Sequence, residues 1–534
     1  MLTIYEASAG SGKTYTLTHQ YISMLRKEKG RNRHRRLLAV TFTKKATAEM
    51  KERIIQALSE MGQNDADCQR MLIELLQDYS AFAVNTIDSF FQQIVRSFQK
   101  ELNLTGGYNV ELDAENIRRM AVDDMFFSLP TDTKDNASKA IKALIDKNIE
   151  DGSRWNPREA IFEAAKQLFN EKFQRRQKQI EAYLEEHHDS FEQYKKNLNE
   201  KWQLYFSTYR KIADDAKKII GDPDDDKLYK NATVFNCLKC TKISDILGLI
   251  GRKSFATLRK FTENSLTCAR DTKNPPASLE RVQPLMKQLL NMLTGEPMRD
   301  MLTVKTIREQ INFLEIYSQL AVQIDRRNHQ LGRLPLAQTN GLVAEVIDEN
   351  EEAPFIYDKI GVRIRHYLID EFQDTSAMQW HNFRPLLKES LAYGNTNLIV
   401  GDAKQSIYRW RNSDYHLLSE LVEQQIKPNE KKNLATNRRS DINIVKTNNE
   451  LFPLLLKHIG NEQLNNIYSS VGQEVFQSGE GYVEMNFVDK LNTGGEHAPL
   501  ADTILEAHKR GVPYNKIALL FRYNKEIAML APYL

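Results

Sequence analysis

The sequence predicts an α/β fold built on parallel strands and interrupted by a long all-helical insertion. Three observations predict it. Residues 2–5 form a short strand-like run that passes through the glycine-rich turn Ala7-Ser8-Ala9-Gly10-Ser11-Gly12 into Lys13, Thr14 and a helix-like stretch over 15–25. Residues 37–42, 366–369 and 397–400 are apolar runs that end in polar segments, as buried parallel strands do. Between about 106 and 335 such runs nearly vanish and helical spacing takes over, with Ile307, Ile311, Leu314, Tyr317, Ala321 and Ile324 on one helical face.

Composition narrows the class. The chain has 534 residues, 27% charged and 41% hydrophobic, as soluble globular proteins do. The net charge is only +3, so a nucleic-acid surface must come from local clustering. No apolar run approaches the ~18 residues of a membrane span. The glycine-rich turn starts a few residues from Met1, which leaves no room for a signal peptide. Four cysteines point to a reducing, cytoplasmic setting. The lone pair Cys237 and Cys240 lacks a second pair or nearby histidines and reads as helix-face cysteines, not zinc ligands. The segment 221–226 (GDPDDD) lacks calcium-loop spacing and reads as an acidic turn, and residues 171–179 read as a solvated helix face.

The first chemistry-bearing segment is Ala7 to Thr14. A glycine-rich turn between a strand and a helix leaves backbone N–H groups aimed at one spot, where the helix dipole adds positive charge. Lys13 at that point can reach outer phosphates, and the Thr14 hydroxyl can ligand magnesium. The segment therefore predicts a phosphate-binding loop and a nucleotide.

The second segment, YLIDEFQDTS over 367–376, delivers Asp370 and Glu371 at the end of a hydrophobic strand. Hydrolysis needs one carboxylate near magnesium and another group to orient water, and adjacent acids point in different directions. Asp370 is assigned to magnesium and Glu371 to the attacking water. The third segment, VGDAKQSIYRWRNSD over 400–414, puts Gln405 after a strand as a sensor of the terminal phosphate. It also interleaves Tyr408 and Trp410 with Arg409 and Arg411, a pattern that suits single-stranded nucleic acid, although aromatics alone are more often core.

Together these segments resemble superfamily 1 helicases of the UvrD/Rep/PcrA type, most of all the helicase portions of RecB and AddA. ASAGSGKT is similar to motif I, VTFTKKATAEM to motif Ia, VNTIDSFFQQIV to the next DNA-contact motif, IDEFQDTS to motif II, GDAKQSIYRWR to motif III and LATNRRSDINIVKTNNELF to motif IV. The segment IALLFRYNKEIAML resembles the strand and helix that precede the family's second insertion. The resemblance implies P-loop NTPase, RecA-like parallel sheets with ATP and Mg2+ between two domains: 1–105 plus 336–428 as the first, 106–335 as its helical insertion, and 429–534 as the start of the second. It implies that Thr41, Phe42, Thr43 and Thr86 approach single-stranded DNA, that Tyr408 and Trp410 flank bases, and that Arg439 reaches the γ-phosphate.

The departures also matter. Ala7 stands where motif I usually begins with glycine, Arg438 where motif IV has the tyrosine that stacks on the nucleotide base, and Asp88 where the motif after Ia has histidine. A guanidinium can also stack on a ring. No glutamine motif precedes the loop, and nothing resembles motifs V and VI or a nuclease domain.

The expected function is an ATP-dependent DNA helicase or translocase, 3′-to-5′ by family, acting on single-stranded DNA and DNA ends in recombination and repair. The partners the family implies are an exonuclease and a second nuclease-helicase subunit. The chain reads as an N-terminal portion of a longer protein, weakly active alone because motif VI is absent. The competing expectation is an ATP-gated single-strand-binding scaffold without motor activity. A P-loop kinase or small GTPase would leave QSIYRWR unexplained.

Overall fold

Strands β1 (Leu2–Ala7), β2 (Leu37–Thr41), β3 (Val84–Thr86), β4 (Asn109–Glu111), β5 (Arg333–Pro335), β6 (His366–Ile369), β7 (Asn397–Gly401) and β8 (Asn429–Leu434) include every strand expected before residue 430. Six of them form one sheet in the order β3-β2-β6-β7-β1-β8, with every pairing parallel. The computed structural model describes the chain apart from residues 105, 130–135, 151–154, 222–231, 241–242, 250–252, 265–272, 274–275, 351–353, 470, 488–497 and 534. The acidic segment 222–226 therefore lies outside the described residues.

Helices α1 (Lys13–Lys27), α2 (Lys44–Gly62), α3 (Ala66–Gln77) and α4 (Ile87–Ser97) follow the first strands. Strands β2, β6 and β7 are buried along their whole length, which explains their continuous apolar runs. Successive residues serve opposite faces. Leu38, Val40, Ile369 and Ile399 pack with Phe90 and Phe91 of α4 and with Phe383 of the helix Ala377–Ala392. Leu37, Ala39, Leu368 and Leu398 pack with Leu17 and Tyr21 of α1 and Ile54 and Leu58 of α2. Strand β8 (NEKKNL) has no fully buried residue, and Lys431 on it pairs with Glu6 and Glu423, both at 2.8 Å. A charged edge strand carries no apolar signature. It extends the first sheet past the expected boundary at 428.

Much of the basic run 26–36 is paired with acids within the fold. Arg33 grips Asp67 through two bonds of 2.9 and 3.1 Å, Arg26 meets Asp65 at 2.6 Å, and Arg35 and His34 share Asp78. Glu28 is buried and accepts from Arg36 at 2.7 Å and Arg365 at 3.2 Å, with His366 Nε2 at 3.1 Å. Burial alone would raise the Glu28 pKa; the surrounding cations outweigh it and hold the group below its ordinary value.

The helical insertion leaves and rejoins the sheet domain where β4 pairs with β5. Its described helices bury two large apolar cores and a small one around Met298 and Met301. One large core gathers Tyr209, Phe235, Cys237, Cys240 and Leu289; the other gathers Ile117, Ile161, Ile316, Tyr317 and Ile324. The expected face lies on the helix Glu296–Leu331, where Ile311, Tyr317 and Ile324 are buried. Residues 171–179 correct one expectation. Glu171 is buried, and its Oε1 accepts from Ser376 Oγ at 2.8 Å and Asn340 Nδ2 at 2.9 Å. The start of that helix docks on the sheet domain instead of facing water, a tertiary contact that helical spacing cannot reveal.

By its contacts the chain divides into Met1–Ala7 with Lys13–Leu434, and Ser8–Gly12 with Ala435–Leu534. In the second unit β9 (Thr436–Asn437) pairs in parallel with β10 (Glu474–Val475), beside the helix Ile442–Ile459. The apolar runs over 482–488 and 517–521 read from the sequence as strands of a second α/β region, yet neither forms one among the described residues, and residue 488 lies outside them. Phe487 is 95% and Leu520 94% exposed. An extended apolar segment becomes a strand only when a neighbour takes up its backbone groups. No described strand pairs with either.

Candidate active site

Because the sheet is parallel, the carboxyl ends of its strands share one edge, where open α/β sheets bind ligands. Ala7 ends β1 and Lys13 begins α1, as the motif required. In the turn that joins them, Gly10 and Gly12 both have φ of 80°, the left-handed region that glycine enters without strain. A Cβ on Gly10 would also lie 2.6 Å from Asn437 Oδ1. Within the second unit the turn's carbonyls are taken up by donors from 437–438 and from Gln473. Arg438 N–H donates to Gly10 O at 2.8 Å, and Asn437 Nδ2 and Gln473 Nε2 donate to Ala9 O at 3.3 and 3.0 Å.

In the first unit Lys13 meets both acids of motif II. Its Nζ lies 3.6 Å from Asp370 Oδ1 and pairs with Glu371 Oε1. Asp370 follows β6 directly, with its N–H donating to Val40 O at 2.9 Å and its Oδ1 accepting from Glu371 N–H at 2.8 Å. Burial pushes the Asp370 carboxyl up to about 6, with Lys13 opposing and Glu371 adding to the rise. Burial works against the Lys13 charge, yet the two carboxylates outweigh it and hold the Lys13 pKa above its ordinary value. Glu371 has φ 52° and ψ 41°, a left-handed backbone uncommon outside glycine and asparagine. Strain of this kind persists where surrounding contacts impose it. The Thr14 side chain is half-buried one residue further along α1.

Gln405 lies in the loop after β7, as expected, and its Nε2 donates to Asp402 Oδ2 at 2.7 Å. Lys404 Nζ pairs with Asp402 Oδ1 at 2.8 Å. Sequence reasoning passed over three residues here. Gln373 bridges Glu371 and the backbone of Asp402, at 2.6 and 2.9 Å. Asp374 is buried with Oδ1 unpartnered, and burial pushes its carboxyl up to about 6, with Glu371 adding to the rise. Asp402 anchors the loop. For Gln373 and Asp374 the signal was the polar run QDTS soon after a hydrophobic strand.

The residues assigned to DNA divide into two groups. Phe42, after β2, and Tyr408, after β7, bring their rings to 4.6 Å at 38°, on loops from the strands that flank β6. The Arg411 guanidinium lies 5.9 Å from the Tyr408 ring and the Arg409 guanidinium 5.9 Å from the Tyr415 ring. The threonines have partners within the fold. Thr41 is wholly buried and its Oγ1 lies 2.7 Å from Thr47 Oγ1, which corrects its assignment to the DNA surface. Thr43 caps α2 by accepting from Ala46 N–H at 3.1 Å, and Thr86 caps α4 by accepting from Ser89 N–H at 3.2 Å. The side chain of Trp410 lies outside the described residues. Asp88, at the departure from histidine, accepts from Gln379 Nε2 at 3.4 Å; burial pushes its carboxyl up, against the pull of Arg411.

In the second unit Arg438 lies over the Phe476 ring at 4.5 Å, so its guanidinium already stacks on an aromatic side chain. Arg439 is exposed, and its N–H donates to Asn437 Oδ1 at 2.9 Å. None of the described helices is long and apolar enough to cross a membrane.

The sequence is similar to those of known proteins. The chain is 24% identical over 454 residues to the A subunit of the ATP-dependent helicase/nuclease of Lachnoclostridium phytofermentans, covering 79% of this chain and 32% of that protein. It is 23% identical over 574 residues to the corresponding protein of Streptococcus suis, covering 97% and 45%, and 22% identical over 572 residues to that of Streptococcus pneumoniae, covering 97% and 44%. The chain thus spans between a third and a half of these relatives' length. The family model described as the UvrD/REP helicase N-terminal domain matches residues 2–426, which take in the phosphate-binding loop, Asp370, Glu371, Gln405 and the Phe42–Tyr408 pair. The chain belongs to the UvrD/REP helicase family.

Proposed function

We propose that this chain works as an ATP-driven DNA translocase and helicase, 3′-to-5′ in polarity, in recombination and repair. By likeness to the helicase/nuclease relatives it would act on DNA ends beside a nuclease and a second subunit. One observation carries the reading most. The strand that delivers Asp370 and Glu371 to Lys13 is flanked by the two strands whose loops bring Phe42 and Tyr408 together. Hydrolytic groups and a base-stacking aromatic pair therefore share one edge of one sheet.

In this reading the N–H groups of Ser8–Gly12 and the Lys13 ammonium hold the phosphates of ATP. The oxygen donors Thr14 Oγ1 and the Asp370 carboxylate suit magnesium, a hard cation, and the buried Asp370 charge is one that a divalent ion would offset. Magnesium would supply charge neutralisation on the phosphate oxygens. Glu371 orients and deprotonates water, Gln405 senses the terminal phosphate on leaving Asp402, and Arg439 stabilises charge that develops in transfer. The second-unit arginines rest on motif likeness, with Arg438 in the base-stacking place.

ATP turnover by the purified chain, measured with and without single-stranded DNA, tests the proposal. Turnover should be slow and should rise with DNA, and DNA affinity should fall steeply with salt. Lys13→Ala should abolish turnover; retained activity would refute the loop assignment. Nucleotide-sensitive DNA binding without any turnover would favour the scaffold reading, in which the hydrolytic group Glu371 has no task.

A further inference from the structure

We infer that Gln373 is a positioning residue that ties the water-orienting carboxylate of Glu371 to the loop after β7, so that the DNA-facing end of that loop sets the orientation of Glu371. The inference rests on the proposed function above and assigns a residue to the coupling it requires.

Gln373 is 2% exposed, and both ends of its amide are committed. Nε2 donates to Glu371 Oε2 at 2.6 Å, and Oε1 accepts from the Asp402 N–H at 2.9 Å. The amide can sit only this way round, because a carboxylate needs a donor and an N–H needs an acceptor. The Gln373 carbonyl also accepts from Ser406 Oγ at 3.2 Å. Two points on one residue thus hold two points of the loop.

The fit leaves no room for slack. A Cβ on Gly401 would lie 2.7 Å from Gln373 Oε1 and 2.9 Å from Leu418 Cδ2, so the end of β7 is glycine where the amide passes. Glu371 in turn is held at both oxygens, Oε1 by Lys13 and Oε2 by Gln373. Held at one oxygen only, the carboxylate could rotate about its last torsion; held at both, it has one orientation. Its left-handed backbone adds to the case that contacts, not local preference, place it.

The other end of the linkage is the loop itself. Asp402, whose N–H Gln373 holds, also anchors Gln405, and the same loop continues to Tyr408 against Phe42. A shift of the loop when a base stacks on Tyr408 moves the Asp402 N–H, and the rigid amide passes that shift to Glu371. A glutamine that merely filled space would need neither bond.

Three forms of the protein test this: wild type, Gln373→Met, which keeps length and burial but loses both bonds, and Gln373→Glu, which keeps the acceptor for Asp402 N–H but loses the donor to Glu371. DNA-stimulated turnover of Gln373→Met should fall about 10–100-fold, as when a group that orients a reactive residue is removed, while KM for ATP stays within about threefold. Gln373→Glu should be impaired at pH 8 and recover as pH falls, since its protonated carboxyl can again donate to Glu371; wild type should show no such recovery. The ratio of single-strand affinities with and without a non-hydrolysable ATP analogue should collapse towards one in Gln373→Met. Unchanged DNA stimulation in Gln373→Met, or a wild-type pH profile in Gln373→Glu, overturns the inference alone. Failure of the wild type to bind nucleotide overturns the proposed function and the inference with it. Gln373→Glu, being nearly isosteric, keeps the test decisive if Gln373→Met fails to fold.

Discussion

Replacing Asp370 by asparagine should make the protein more stable and less active at once. The Asp370 carboxyl titrates at about 6 in the fold against an ordinary 3.8. A folded pKa raised above the unfolded one means that the folded state binds the proton more tightly. The stabilising contribution is complete below about pH 4 and is lost as pH rises through about 6. At pH 7 the buried charge therefore destabilises the fold by about 3 kcal/mol, from roughly two pKa units at 1.36 kcal/mol each. An asparagine in this setting does not lack partners: its amide oxygen can keep the bond from Glu371 N–H, and Lys13 retains Glu371. Asp370→Asn should thus gain about 2–3 kcal/mol at pH 7 and only about half a kcal/mol at pH 4, where the folded carboxyl is already neutral. Urea unfolding of both proteins at the two pH values, without nucleotide or divalent cation, measures the difference. ATP turnover of the variant should be lost. A variant less stable than wild type at pH 7, or one with the same gain at pH 4, would refute the assignment of Asp370 as a charge held at a thermodynamic cost for function.

Three further outcomes follow from contacts elsewhere. Glu28→Gln should destabilise the fold by about 1–3 kcal/mol near neutral pH, because Arg36, Arg365 and His366 lose a buried charged acceptor. The folded Glu28 pKa is lowered, so its contribution is present above the ordinary carboxylate range and fades as pH falls below it; urea unfolding across that range checks the sign. Tyr408→Ala should weaken single-stranded DNA binding about 5–100-fold at fixed salt through lost stacking. Thr41→Val should leave that affinity unchanged, since Thr41 has no exposed surface, and fluorescence anisotropy with a labelled oligonucleotide separates the two.

Much of the candidate site was legible because its chemistry is local. A strand, two glycines with positive φ, a lysine and a helix occupy consecutive residues, and the acids at 370 and 371 follow an apolar run directly. What escaped was held by distant partners. Strand β8 looks like a charged loop, and only its pairing with β1 makes it a strand. Residues 482–487 and 517–521 carry strand-like sequence without forming one among the described residues, because β structure depends on a neighbour. Glu171 sits at the head of a polar helix, and only Ser376 and Asn340 make it a buried anchor. The basic run 26–36 could have served a phosphate backbone, and acids from α3 and Glu28 occupy it instead.

By itself the sequence determined the parallel α/β class, the glycine-rich turn between β1 and α1, and the places of Lys13 at a helix start and of Asp370 and Glu371 at a strand end, because each depends on residues adjacent in the chain. Tertiary structure alone decided which of the motif's threonines face inward, that Phe42 meets Tyr408, and that Gln373 links Glu371 to Asp402. The contacts of Phe42 with Tyr408 and of Gln373 with Asp402 join residues 366 (408 − 42) and 29 positions apart, and their geometry exists only once the strands that carry them lie side by side.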